Sequence, residues 1–123
     1  MIHMTEGRLW TEMTVVEVGR AAKEGWEVLL PVGCVEQHGY HLPTGTDFFV
    51  AQEVARRTAE LTRCVVAAGV PYSFSGGELP GTVDVDPAVV SQYLLEVVRS
   101  FYKQGFRAVV LVLTRGERKR SRA

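Results

Sequence analysis

Cysteine is scarce in this chain: Cys34 and Cys64 are the only two among 123 residues. Two thiols cannot build a disulfide framework, and their spacing matches no metal-binding cysteine motif. A reduced, cytoplasmic chain is the simplest expectation. Long apolar runs are missing as well, so no segment is expected to span a bilayer. The N-terminus lacks the basic-then-apolar pattern of a secretory signal. Histidine is limited to three residues, none of them after His41. Neither internal repeats nor low-complexity stretches are visible.

What is present is ordinary for a globular protein: 46% apolar and 23% charged residues. The length allows one domain with a small core. Residues 1–12 are weakly patterned and read as an irregular lead-in. Thr14 to Gly25 suits a helix. Thr14 and Glu17 form a capping-box pair, and Val15, Val18, Ala22 and Trp26 fall near helical spacing. Trp26 reads as core. Val28 to Pro31 is a short apolar strand of the kind buried on both faces. Asp47 to Thr62 is helical, with Phe48, Ala51, Val54, Ala55, Thr58 and Leu61 on one stripe and Thr46 or Asp47 as cap.

Cys64 to Ala68 reads as a second strand. Residues 69–86 form a long loop rich in glycine and proline, and such loops are usually functional. Tyr72, Ser73, Ser75 and Glu78 are the residues on it suited to border a pocket, or Tyr72 and Phe74 pack it onto the core. Asp86-Pro87 opens a third helix, capped by Asp86 and with Val90, Leu94, Val97, Val98 and Phe101 as its buried face. Ala108 to Leu113 is a third strand. Strands alternating with helices predict an α/β fold: a three-layer α/β/α arrangement around a mostly parallel sheet, breaking off after the third βα repeat.

The chain is organised around Leu29 to Asp47, which reads LLPVGCVEQHGYHLPTGTD. It starts as a strand and ends at a helix start. Between them lie Glu36, His38, His41 and Asp47. Glu36 and His38 are two apart, so on an extended segment both side chains leave the same face. Gly39, Pro43 and Gly45 let the chain turn back toward Asp47. Carboxylates and imidazoles gathered on a loop suit a zinc- or manganese-type ion. The alternative is that the acids are solvated or cap a helix and that the histidines are ordinary surface residues. Cys34 reads as a small buried residue rather than a nucleophile. In parallel sheets, sites lie beyond the carboxyl ends of strands, which is where this loop leaves.

This run resembles the creatininase (creatinine amidohydrolase) family, whose pattern is close to Pro-x-Gly-Ser-x-Glu-Gln-His-Gly-Pro-His-Leu-Pro-x-x-Thr-Asp. The resemblance extends through Pro71-Tyr72, Gly76-Gly77, Pro80-Gly81-Thr82 and Gly105-Phe106-Arg107, covering roughly residues 10–113. It implies two divalent ions per site, zinc or manganese and in some cases iron. Glu36 would bind one ion, His38 the other, and Asp47 would bridge them. It implies hydrolysis of a non-peptide, often cyclic, amide C–N bond by a metal-activated water, and rings of identical subunits. His41 is the proposed catalytic residue, as leaving-group acid or as a residue that orients a ligand. The family's next ligand motif, Asn-Gly-His, is not found after Val112.

Residues 114–123 carry five basic residues against Glu117, so the rest of the chain is net acidic. The expected division is an incomplete creatininase-like domain over 1–113 and a basic, disordered tail over 114–123. A truncation, frameshift or artificial end is favoured there over a nucleic-acid arm. The expected function is a metal-dependent amidohydrolase for a small-molecule amide, weakly active or inactive as this chain. The alternative is a non-catalytic, metal-binding or oligomerising fragment. Nucleic-acid and membrane partners are not expected.

Overall fold

The computed structural model describes residues 8–114; nearly all of the expected basic tail lies outside them. Four parallel strands form one sheet in the order β1-β3-β2-β4. They are β1 (Arg8–Leu9), β2 (Glu27–Val32), β3 (Cys64–Val66) and β4 (Val109–Leu113). Three helices connect or flank them: α1 (Val15–Lys23), α2 (Thr46–Leu61) and α3 (Pro87–Lys103). The crossover through α2 leads from β2 to β3; the crossover through α3 carries the chain back across β2 to β4. β2 is therefore where the winding reverses, the place where open α/β sheets bind ligands.

The side-chain alternation of β2 builds two cores. Val28, Leu30 and Val32 pack with Val18, Ala21, Ala22, Trp26 and Phe101, so α1 and α3 cover one face. Leu29 packs with Ala55, Ala59, Cys64 and Val66, so α2 covers the other. This is the three-layer arrangement expected. Trp26 is core, at 1% exposure, and its indole N–H lacks a partner among the described residues.

Several local expectations need correction. The lead-in is not wholly irregular: Arg8–Leu9 adds an edge strand, and a 3-10 turn over Trp10–Glu12 sets Trp10 against Phe101 and Phe106, with ring centroids 5.2 and 5.4 Å apart. Two residues are too few for any periodicity to reveal. The Thr14–Glu17 capping box is present. Arg8 also pairs with Glu17 at 2.6 Å. The Thr14 backbone N–H, helped by its hydroxyl and by Arg8, holds the Glu17 carboxyl below the ordinary range. Val15, however, points to solvent.

On α2, Val54 and Leu61 are exposed, and the buried apolar stripe is Ala51, Ala55 and Ala59. Small residues at i, i+4 spacing let the helix sit close to the sheet, and that close approach displaces the larger side chains from the stripe. Neither Thr46 nor Asp47 caps α2. Gly45 is the N-cap position with no side-chain bond, and the Thr46 hydroxyl donates to the Pro43 carbonyl at 2.6 Å. On α3, Asp86 caps through the Ala88 N–H, as expected.

Candidate metal centre

Beyond β2 the chain must pass beneath the first turn of α2. Gly33 permits it: a Cβ there would lie 2.5 Å from the Phe48 Cα and 2.7 Å from its nitrogen. That backbone-to-backbone approach brings Asp47, at the start of α2, over the residues that follow β2. The other strand ends join the same rim. The Thr114 hydroxyl, just past β4, donates to the Asp47 carbonyl. The Ser73 hydroxyl, from the loop after β3, donates to the Gly33 carbonyl. Val83 N–H donates to the Val35 carbonyl at 2.9 Å, and Gln37 N–H to the Thr82 hydroxyl at 3.0 Å.

Within this frame Glu36 and Asp47 are buried, at 7% and 6% exposure. Their carboxylates converge on Cys34, so that one ligand atom from each of Cys34, Glu36 and Asp47 lies within 4.8 Å of the others. The Cys34 Sγ–H donates to Asp47 Oδ2 at 3.1 Å and, more weakly, toward Glu36 Oε1 at 3.8 Å. Among the described residues no lysine or arginine pairs with either acid; their only basic neighbour is His38, whose Nε2 lies 3.5 Å from Asp47 Oδ2.

His38 Nδ1 lies 2.9 Å from the Glu36 carbonyl. A carbonyl only accepts, so Nδ1 carries the hydrogen. In the neutral ring the Nε2 lone pair then faces a carboxylate oxygen. This is the tautomer and orientation of a metal-binding imidazole whose other nitrogen is held by a backbone carbonyl. Burying carboxylates without a counter-charge is costly. Two buried acids and an inward lone pair are therefore a donor set that suits a divalent cation.

Of the three ligands expected from the sequence, Glu36 and Asp47 share one cluster with Cys34, and His38 approaches it through Asp47, at 3.5 Å. His41 does not join them: it is exposed on the turn beyond and makes no hydrogen bond among the described residues. Cys34 is the residue that the sequence reading set aside. The signal was available, since Cys34, Glu36 and His38 alternate, and the i, i+2 rule that paired the last two reaches the first. A cleft of about 350 Å³ opens beside it, lined by Val32, Gly33, Cys34, Ser73, Phe74 and Thr114 among others. Of the loop residues proposed for a pocket, only Ser73 lines this cleft. Tyr72 lines a neighbouring one, Ser75 is buried against Asp84, and Glu78 is exposed.

Comparison with known proteins adds the following. A family model described as creatininase, creatinine amidohydrolase, matches residues 11–120. The chain is 33% identical over 116 residues to 3-dehydro-scyllo-inosose hydrolase of Thermotoga maritima, covering 90% of this chain and 37% of that protein. It is 30% identical over 100 residues to creatinine amidohydrolase of Pseudomonas putida, covering 76% and 38%. It is 41% identical over 90 residues to mycofactocin precursor peptide peptidase of Mycolicibacterium smegmatis, covering 67% and 36%. The chain thus spans between 36% and 38% of the length of these relatives. A crystal structure of creatinine amidohydrolase superposes with a TM-score of 0.80 at 30% identity, over 84% of this chain and 43% of that one. A manganese creatininase and a mutant creatininase of Zn-Zn type, each 31% identical over the same shares, superpose at 0.78 and 0.79.

Proposed function

The chain belongs to the creatininase family, and from that premise we propose that it carries a metal-holding part of an amidohydrolase. The reaction class is hydrolysis of a non-peptide amide C–N bond, in a small and cyclic substrate. The observation behind this reading is the convergence of the buried Glu36 and Asp47 carboxylates with no lysine or arginine beside them among the described residues. Zinc or manganese is the proposed ion, with iron third; creatininase neighbours include a manganese form and a Zn-Zn form. When bound, such an ion supplies a hydroxide-like nucleophile near neutral pH and polarises a carbonyl.

Glu36, His38 and Asp47 are the proposed ligands, Asp47 lying between the other two. The Thr114 hydroxyl fixes the Asp47 backbone, and the Glu36 carbonyl fixes the His38 ring. His41, exposed and without a hydrogen bond among the described residues, is the proposed proton donor to the leaving nitrogen. The cleft beside Cys34 is the proposed entry for substrate. The donors among the described residues form one cluster, whereas two-metal hydrolysis needs ligands for two ions. Turnover by this chain alone is accordingly proposed to be weak. Neither cysteine is in a disulfide, and no helix among the described residues is long and apolar enough to cross a membrane, which suits a cytoplasmic placement.

The test is metal content together with turnover. The chain reconstituted with zinc or manganese is expected to retain metal and to hydrolyse creatinine or another small cyclic amide slowly, both lost in Asp47→Asn. Metal retention unchanged by that substitution contradicts the reading. A second reading is a non-catalytic metal-binding chain that works in a homo-oligomer. It is favoured by β4, a sheet edge whose Val110, Leu111 and Leu113 are exposed. Metal retention with no turnover, and a molecular mass of several chains in solution, would select it.

A further inference from the structure

We propose that Cys34 is itself a metal donor, so that the site binds its ion through a thiolate as well as carboxylates and prefers zinc to manganese. The inference rests on the metal-site reading above and adds a ligand to it. Cys34 is 3% exposed, and its sulfur faces the two acids rather than the hydrophobic cores. A tetrahedral zinc ion, with bonds of about 2.3 Å to sulfur and about 2.1 Å to oxygen, sets its sulfur and oxygen donors roughly 3.6 Å apart. The observed Sγ distances to Asp47 Oδ2 and Glu36 Oε1, 3.1 and 3.8 Å, straddle that value.

A second observation points the same way. Glu36 is more than nine-tenths buried, yet among the described residues its Oε2 accepts no hydrogen bond and its Oε1 receives only the weak thiol contact. A largely buried carboxylate held this way suits a cation as its further partner. With an ion bound, the sulfur that donates a hydrogen to the acids would hold the ion as a thiolate, its proton released to solvent. A thiolate is a soft ligand and favours zinc, whereas a site built from carboxylate and imidazole suits manganese as well. Cys64 has no such surroundings: it opens β3 at the opposite end of the sheet, where its sulfur meets the Thr62 hydroxyl at 2.9 Å.

The test uses the full chain loaded with cobalt(II) in place of zinc. The unmodified protein and Cys64→Ser are expected to show a near-ultraviolet sulfur-to-cobalt charge-transfer band; Cys34→Ser is expected to bind cobalt without it. Competition between zinc and manganese is expected to show the zinc preference falling by about tenfold or more in Cys34→Ser. Cobalt bound by the unmodified chain with no such band overturns the proposal while leaving the carboxylate site standing, provided Asp47→Asn abolishes that binding. A zinc preference unchanged in Cys34→Ser also overturns it. No cobalt, zinc or manganese bound by the unmodified chain overturns both readings. The spectrum of the unmodified protein decides the matter even if the variant folds poorly.

Discussion

β2 and β4 lie side by side, with Val28–Val32 in register against Val109–Leu113, and both are built almost entirely from valine and leucine. One is sealed and the other is open. Leu30 is fully buried, whereas Leu111, its direct partner in register, is 39% exposed. Composition makes both of them strands; neighbours decide what each is worth. β2 has a strand on either side and a helix layer on each face, while β4 is an edge. The acids follow the sealed strand. Their charges sit where water screens little, which is the setting in which carboxylates bind a cation strongly.

The largest expected effect contrasts the two strands directly. Leu30→Ala should cost about 2–5 kcal/mol, the usual range for a buried leucine, while Leu111→Ala should cost less than about 1 kcal/mol because water already reaches it. Urea unfolding midpoints of the two variants check this. Equal losses would show that β4 is covered in solution, as the oligomer reading requires.

Two glycines sharpen the contrast at the rim. A methyl group at Gly33 meets the Phe48 backbone, which cannot move without shifting α2. Gly33→Ala should therefore lower stability by about 1–3 kcal/mol and weaken metal binding together. A methyl group at Gly77 meets only side-chain atoms, Thr82 Oγ1 at 2.8 Å and Glu36 Oε2 at 2.9 Å. Gly77→Ala should shift the Glu36 carboxylate and weaken metal binding with little change in unfolding. Thermal melts with and without zinc separate the two.

Asp47→Asn should leave the metal-free protein as stable as before or more so, since it replaces a buried carboxylate that no lysine or arginine pairs with among the described residues. The rise in melting temperature on adding zinc should disappear. Loss of stability without metal would mean that Asp47 serves the fold instead.

The smallest effect lies on the solvent face of α2. Hydrogen bonds from Arg56 and then Arg57 hold the Glu53 carboxyl at about 2, against 4.5 for an ordinary glutamate. A depressed carboxyl contributes stability above its unfolded value that is lost as pH falls. Glu53→Gln should therefore be slightly less stable than the parent at neutral pH, with the difference fading between about pH 4.5 and 2. Melts across that window check it; exposure and salt keep the effect small.

Much of this was legible in the sequence because local signals and global fold agree. The capping box at Thr14, the Asp86-Pro87 helix start and the apolar β2 each name an element from its own residues. Other expectations failed because of contacts made outside the helix itself. Val54 and Leu61 looked like core until the alanine stripe took α2 close to the sheet. Asp47 and Thr46 looked like caps until the Gly33 approach and the Pro43 carbonyl gave them other positions. The nearness of Asp47 to both Glu36 and His38 was expected from the glycine- and proline-bearing turn and from the family likeness. The Cys34 thiol shares the alternation of Glu36 and His38 but reads by residue type as a small buried group, and the folded loop shows it facing the two acids.

Equilibrium dialysis of the full chain against zinc, beside a Glu36→Gln/Asp47→Asn double variant, tests the central claim most directly. Metal content should show zinc held by the unmodified protein and absent from the variant. Zinc missing from the unmodified protein, or equally retained by the variant, would contradict it.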